Sequence, residues 1–169
     1  HKARAEAAPR IDAEVVGTLR KVGMEGAAFR TAISEVALGA TGGDSVAFLF
    51  SANAQIEPRP IERIASGGEL SRVMLALKAI LARRLSLPTI VFDEIDTGVS
   101  GRVADAVGDI INTLSEQMQV IDITHLPQVA AKGNTHLLVY KEQGATHLRP
   151  LSTEERIIEI AKMLSGSTV

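Results

Sequence analysis

The sequence predicts an α/β fold: a mainly parallel sheet flanked by helices, closing with a β-hairpin and a last helix. Two observations carry that expectation. Short apolar runs at 89–92 and 119–124 each follow a segment of helical periodicity, which is the order of a parallel sheet with crossover helices. Two polar-flanked strand patterns then surround Glu142-Gln143-Gly144-Ala145, a hairpin signal.

Length and composition agree with one packed domain. The chain has 169 residues, 46% hydrophobic and 22% charged, enough to build a core and too apolar for a disordered tail. Eighteen basic residues against twenty acidic ones give a net charge of −2, so no overall basic character announces nucleic acid. There are no cysteines, which excludes a disulfide scaffold and cysteine-based metal or redox chemistry. No apolar stretch is long enough for a membrane helix, and the expected location is the cytoplasm. The chain starts at His1 rather than Met, and a piece of a longer protein is expected.

Along the chain, Ile11, Val15, Leu19 and Val22 form a helical stripe within residues 3–22. Residues 1–22 read as a surface helix, a linker or the end of a long helix or coiled coil entering the domain, with Pro9 as a candidate break. Residues 23–169 form the remaining unit. Gly39 to Ser45 is a turn-rich loop, and Val46, Phe48 and Phe50 mark a strand. A polar loop covers 51–60.

A helix follows Ser66-Gly67-Gly68-Glu69, with Leu70, Val73, Met74, Leu77, Ile80 and Leu81 on one face and Arg83-Arg84 in its last turn. Thr89 to Phe92 reads as a buried parallel strand ending in Asp93-Glu94. The helix after Gly101 presents Val103, Val107, Ile110, Ile111, Leu114 and Met118. The second apolar strand ends at Thr124-His125, and Pro127 opens a short helix. Strands at 135–140 and 146–151 make the hairpin. Ser152 and Glu155 offer a capping box for the last helix, with Ile157, Ile160, Ala161 and Leu164 facing inward.

Three elements carry chemistry. Asp93 and Glu94 sit at the carboxyl end of an apolar strand, where open α/β sheets bind ligands. One carboxylate can hold a hard cation through water and the other can orient a water; an acidic turn at a strand end is the plain structural alternative. Ser66 to Glu69 can be a simple capping box, yet two glycines at a helix start also suit close approach of a phosphate to the backbone amides. His125 ends the neighbouring strand and can reach the same edge; His1, His136 and His147 have no such setting and read as solvated. No G-x-x-x-x-G-K-[ST] segment exists, so a phosphate cradle has to come from elsewhere.

In this order the three elements resemble the signature motif, Walker B with its catalytic glutamate, and the switch histidine of ABC-type ATPases. The flanks, Ser51-Ala52-Asn53, Ala65 to Arg72, Phe92 to Gly101 and Ile123 to Ala130, resemble the RecN family of bacterial SMC-like DNA-repair ATPases; so do Glu155-Arg156 and Glu159-Ile160-Ala161. The resemblance spans roughly residues 15 to 166.

It implies the C-terminal lobe of an ABC/SMC-type ATPase head, partnered by an N-terminal P-loop half and paired with a second head across two ATP molecules, with residues 1–22 as the end of the returning coiled-coil helix. By motif position it implies that Ser66, Gly67, Gly68 and Glu69 meet the γ-phosphate held by the opposite head. Asp93 would hold Mg²⁺ through water, Glu94 would orient the water, and His125 would sense the γ-phosphate. It further implies DNA as a partner, a role in double-strand break repair and recombination, and a nucleoid-associated location. Ser100 stands where transporter ATPases usually carry an Asp, which favours this family over a transporter fragment. A non-catalytic assembly module is the other alternative, opposed by the intact Asp93-Glu94 pair and His125. Ala54-Gln55 departs from the expected Pro-Gly, and Asp122, in an apolar strand, marks an exposed face or a paired carboxylate.

Overall fold

The computed structural model describes residues 1–64 and 66–166; Ala65 and residues 167–169, where parts of two expected segments fall, lie outside the described residues. Helix α1 runs Lys2–Lys21, continuing through Pro9 without a break. It packs on β1 (Ala28–Gly39) and on α2 (Gly67–Leu85). The expected stripe is real: Val15, Leu19 and Val22 are fully buried. Asp12 fixes the helix to the sheet by accepting from the backbone N–H of Thr31 at 2.9 Å and from its hydroxyl at 2.6 Å. Arg4 does the same at the far end, donating to Asp44 at 2.9 Å and to the Thr41 carbonyl at 2.6 Å. His1 also bonds Asp44, at 2.7 Å, so it is not merely solvated.

β1 pairs antiparallel with β2 (Gly42–Ser51), which pairs with the short β3 (Arg59–Pro60). β1 has no counterpart in the sequence reading, although Phe29, Thr31 and Ile33 alternate ahead of a Gly39-Ala40-Thr41-Gly42 turn. β2 accordingly begins four residues earlier than its aromatic run suggests.

The second sheet is parallel. β4 (Thr89–Asp93) and β5 (Gln119–Ile123) pair in register from Thr89 opposite Gln119 to Asp93 opposite Ile123. Helix α3 (Gly101–Ser115) makes the crossover. Phe92, Val107, Ile111 and Leu114 fill the core between them. Only one face of this sheet is covered. Val91, Ile121 and Ile123 are 50%, 44% and 50% exposed, so the strands are not buried on both sides as their apolar runs suggest.

α2 turns inward a face rotated from the expected one. Val73, Leu75, Ala76, Ala79 and Ala82 are buried, whereas Leu81 is 53% exposed. The small side chains let α1 pack against the helix. After α4 (Pro127–Ala130) come β6 (Leu137–Glu142) and β7 (Ala145–Pro150), joined by Gln143-Gly144 with both φ positive, the backbone a two-residue hairpin requires.

The last helix, α5 (Thr153–Ser165), has the expected capping box between Ser152 and Glu155. The backbone N–H of Ser152 and then Arg149 hold the Glu155 carboxyl below its ordinary range. Its apolar face is a correction: no residue of α5 is buried, and Ile157 and Leu164 are each 66% exposed, because no described element packs over them.

Leu19→Ala is expected to lower unfolding free energy by about 2–5 kcal/mol, since the side chain is fully buried between helix and sheet; urea unfolding measures it.

Candidate functional site

The strand register sets the site. Asp93 opposes Ile123, so Glu94 and Thr124-His125 leave the sheet side by side at one edge. All three expected site residues there, Asp93, Glu94 and His125, are exposed, and among the described residues none forms an ion pair. Glu94 is held in the left-handed region, φ +48°, which costs a non-glycine residue free energy and is typical of positions fixed by their surroundings. Those surroundings are explicit. The Glu94 N–H donates to the Ile123 carbonyl at 3.0 Å, and its own carbonyl accepts from the Thr97 N–H at 3.2 Å and hydroxyl at 2.8 Å.

Ser66 caps α2 by accepting from the Glu69 N–H at 3.4 Å. The reciprocal bond that completes the box at Ser152 is not formed here among the described residues. The two glycines serve different ends. A Cβ at Gly67 would meet nothing within 4 Å, so that position is open to an approaching group. A Cβ at Gly68 would lie 3.1 Å from the Thr97 carbonyl and 3.6 Å from the Gly98 Cα. Gly68 thus lets the start of α2 sit against the loop that follows Glu94. Arg72, one turn on, donates to the Gly68 carbonyl at 3.0 Å and to the Val22 carbonyl at 3.4 Å, tying the turn to the end of α1.

Residues that the sequence reading passed over complete the arrangement. Asp96 is 1% exposed, and it accepts a short hydrogen bond from the Thr124 hydroxyl, which itself accepts from the Leu126 N–H at 2.9 Å. This joins the Glu94 loop to the strand end that carries His125. The available signal is an Asp two positions after Glu94 and a Thr next to His125. Asp122 is neither exposed nor paired: both its carboxylate oxygens are buried without a hydrogen-bond partner, as is the second oxygen of Asp96. Burial, and then the charge of Asp96, pushes Asp122 up to about 6. His136 contacts the Ala130 carbonyl and His147 stacks on Tyr140, so neither belongs to this edge.

The arrangement defines a class. Chains with SMC heads share this fold: 90% of the chain superposes on the Smc head domain of Pyrococcus yayanosii with a TM-score of 0.73 at 23% identity, covering 28% of that chain. A chain solved in work on ATP-driven dimerization and DNA-stimulated activation of SMC ATPases aligns over 94% of this chain and 93% of its own, with a TM-score of 0.64 and 21% identity. The fold is that of an SMC ATPase head, in part.

The sequence likeness is more particular, and it is to DNA repair protein RecN. The Vibrio cholerae protein is 38% identical over 175 residues, which take in all of this chain and 32% of the relative. The Bacillus subtilis protein is 48% identical over 130 residues, 75% of this chain and 23% of the relative. The chain therefore spans about a third or less of the RecN proteins it matches. No family model matches it.

Two outcomes are expected. Protonation of Asp122 favours the folded state, so its contribution is full below about pH 4 and is lost as pH rises through about 6. Asp122→Asn should match the parent near pH 4 and exceed its stability at pH 7–8 by about 1–2 kcal/mol, after allowing for solvent screening; urea unfolding at both pH values checks it. Gly68→Ala should speed hydrogen exchange at the Val99 N–H, which bonds the Asp96 carbonyl at 3.3 Å, while Gly67→Ala leaves it unchanged.

Proposed function

We propose that this chain is the C-terminal lobe of a RecN-like ATPase head that acts in DNA double-strand break repair and recombination. The observation that carries the reading is the single sheet edge where Asp93, Glu94 and His125 emerge together, backed by the Gly68 contact that joins the Ser66 turn to the same loop. The groups present fit a metal–nucleotide ligand: Asp93 is an exposed carboxylate free of ion pairs among the described residues, and Gly67 has open space over its backbone.

When bound, ATP and Mg²⁺ supply the phosphoryl group and the positive charge that offsets charge developing on it. The chain's own residues position. Asp93 would hold the metal through water. Glu94, fixed by its backbone bonds, orients the attacking water and accepts its proton. His125 donates a hydrogen bond toward the γ-phosphate. Ser66 and the amides of Gly67, Gly68 and Glu69 would meet the γ-phosphate held by a second head. Phosphoryl transfer of this kind is mostly positioning, so half a site gives almost no rate.

The bare face of the β4–β5 sheet, with Val91, Ile121 and Ile123 half exposed, supports an N-terminal P-loop half as the missing partner within the head. Among the described residues no helix is long and apolar enough to cross a membrane. The proposed setting is the bacterial cytoplasm, at the nucleoid, with DNA as partner and two heads pairing on ATP.

The chain alone is expected to hydrolyse ATP negligibly. Joined to a P-loop half, Glu94→Gln should keep ATP binding and cut turnover about 10²–10⁴-fold in a phosphate-release assay. In the same assembly Ser66→Arg should abolish ATP-driven head pairing by sedimentation while single heads still bind nucleotide; normal pairing removes Ser66 from the interface.

A further inference from the structure

Away from that edge, the C-terminal turns of α1 and α2 meet α3 in two adjoining clefts. The first, about 470 Å³, lies between α1 and α2; the second, about 380 Å³, opens between them and α3. Lys21 and Arg83 line both, so they form the ridge where the clefts join. The acids nearby are already engaged. Glu14 pairs with Arg84 at 3.4 Å, and Asp109 bonds Lys132, which Asp105 also holds at 2.8 Å. Among the described residues, Lys21 and Arg83 have no carboxylate partner.

Cations in a last helical turn complement the helix dipole, which explains why each lies near a helix end. It does not explain why two unpaired ones share a cleft, since like charges brought together without an anion repel. Thr18 and Thr113 also line the first and second cleft respectively, each with its hydroxyl donating to the carbonyl four residues back, Glu14 at 3.0 Å and Asp109 at 2.9 Å. The chain carries a net charge of −2, whereas the charged residues lining the two clefts, Lys21, Arg83 and Arg84 against Glu14 and Asp109, leave a modest positive excess there. Sixteen residues of helix separate Arg83 from Gly67, a distance of about 24 Å at the helical rise. A ligand here is therefore not the nucleotide at the Ser66 turn.

We propose that these clefts bind the phosphodiester backbone of duplex DNA, with Lys21 and Arg83 each meeting a phosphate. The preference for an anion follows from the charges; the choice of DNA rests on the repair reading above. Contacts to phosphate alone carry no base sequence, so binding is sequence-independent and steeply salt-dependent.

The test is fluorescence anisotropy with a labelled duplex of about 30 base pairs, between about 50 and 200 mM salt. The variants are the Lys21→Glu/Arg83→Glu double, its neutral form Lys21→Gln/Arg83→Gln, and Lys141→Glu on the β6–β7 hairpin as a charge control. Thermal melts confirm that each is folded. The double reversal is expected to weaken binding at least about tenfold and to lower the log–log salt slope by about 2, the neutral form to fall between it and the parent, and the control to stay within about twofold. A parent that binds no duplex at low salt, a double reversal that binds like the parent, or an equal loss in the control overturns the proposal.

ATP-driven pairing, measured on the same variants joined to a P-loop half, separates the two readings. DNA binding that survives the reversal in heads that still pair rejects the cleft alone. A parent that neither pairs nor binds DNA rejects both.

Discussion

The parallel pairing of β4 with β5 is the constraint on which the rest depends. Its register, Asp93 opposite Ile123, delivers two carboxylates and a histidine to one edge with no need for a long loop to bring them together. A one-residue slip would turn Phe92 out of the core and Asp93 into it, at the cost of burying an unpaired charge. The hydrophobic core therefore holds the chemistry in place. Because Phe92 is fully buried, the residue after it has to point outward.

Around that register a set of polar contacts removes the remaining freedom. The Glu94 backbone is held in a left-handed conformation by Ile123 and Thr97, and Asp96 bonds Thr124 in a nearly dry setting. Gly68 lets α2 rest on the same loop, and Arg72 ties that turn to α1. The elements named by motif are thus one packed unit rather than three separate stretches. The unit also carries a liability: three buried carboxylate oxygens on Asp96 and Asp122 lack partners, an arrangement that a well-packed core seldom keeps.

The sequence made much of this legible, and where it did not the reasons are physical. Periodicity marks α1, α2 and α3 because each buries a stripe, and continuous apolar runs mark the two parallel strands. β1 escaped because only Phe29 among its residues is buried, and the positions in phase with it include the polar Thr31 and Glu35, so the apolar face of its alternation is weak. The inward face of α5 and the outer face of β4–β5 were read as covered because apolar patterning reports what a segment can bury, not whether its cover is present. The edge itself was visible in Asp93-Glu94 and Thr124-His125, since strand ends in a parallel sheet share a side. Asp96, Thr97 and Gly98 were not, because their importance lies in contacts between segments that no spacing along the chain encodes.

The meeting of Gly68 and Gly98 constrains how the protein can vary. Gly98 is committed to glycine by its own backbone, φ +76°, whereas position 68 has an ordinary backbone but no room, since a Cβ there falls 3.1 Å from the Thr97 carbonyl. Any side chain acquired there acts as a wedge against a segment that cannot yield by losing atoms. Accommodation has to come from compensating shifts at Thr97 or Val99. The two stretches are therefore bound to evolve in concert, each limiting which replacements the other tolerates.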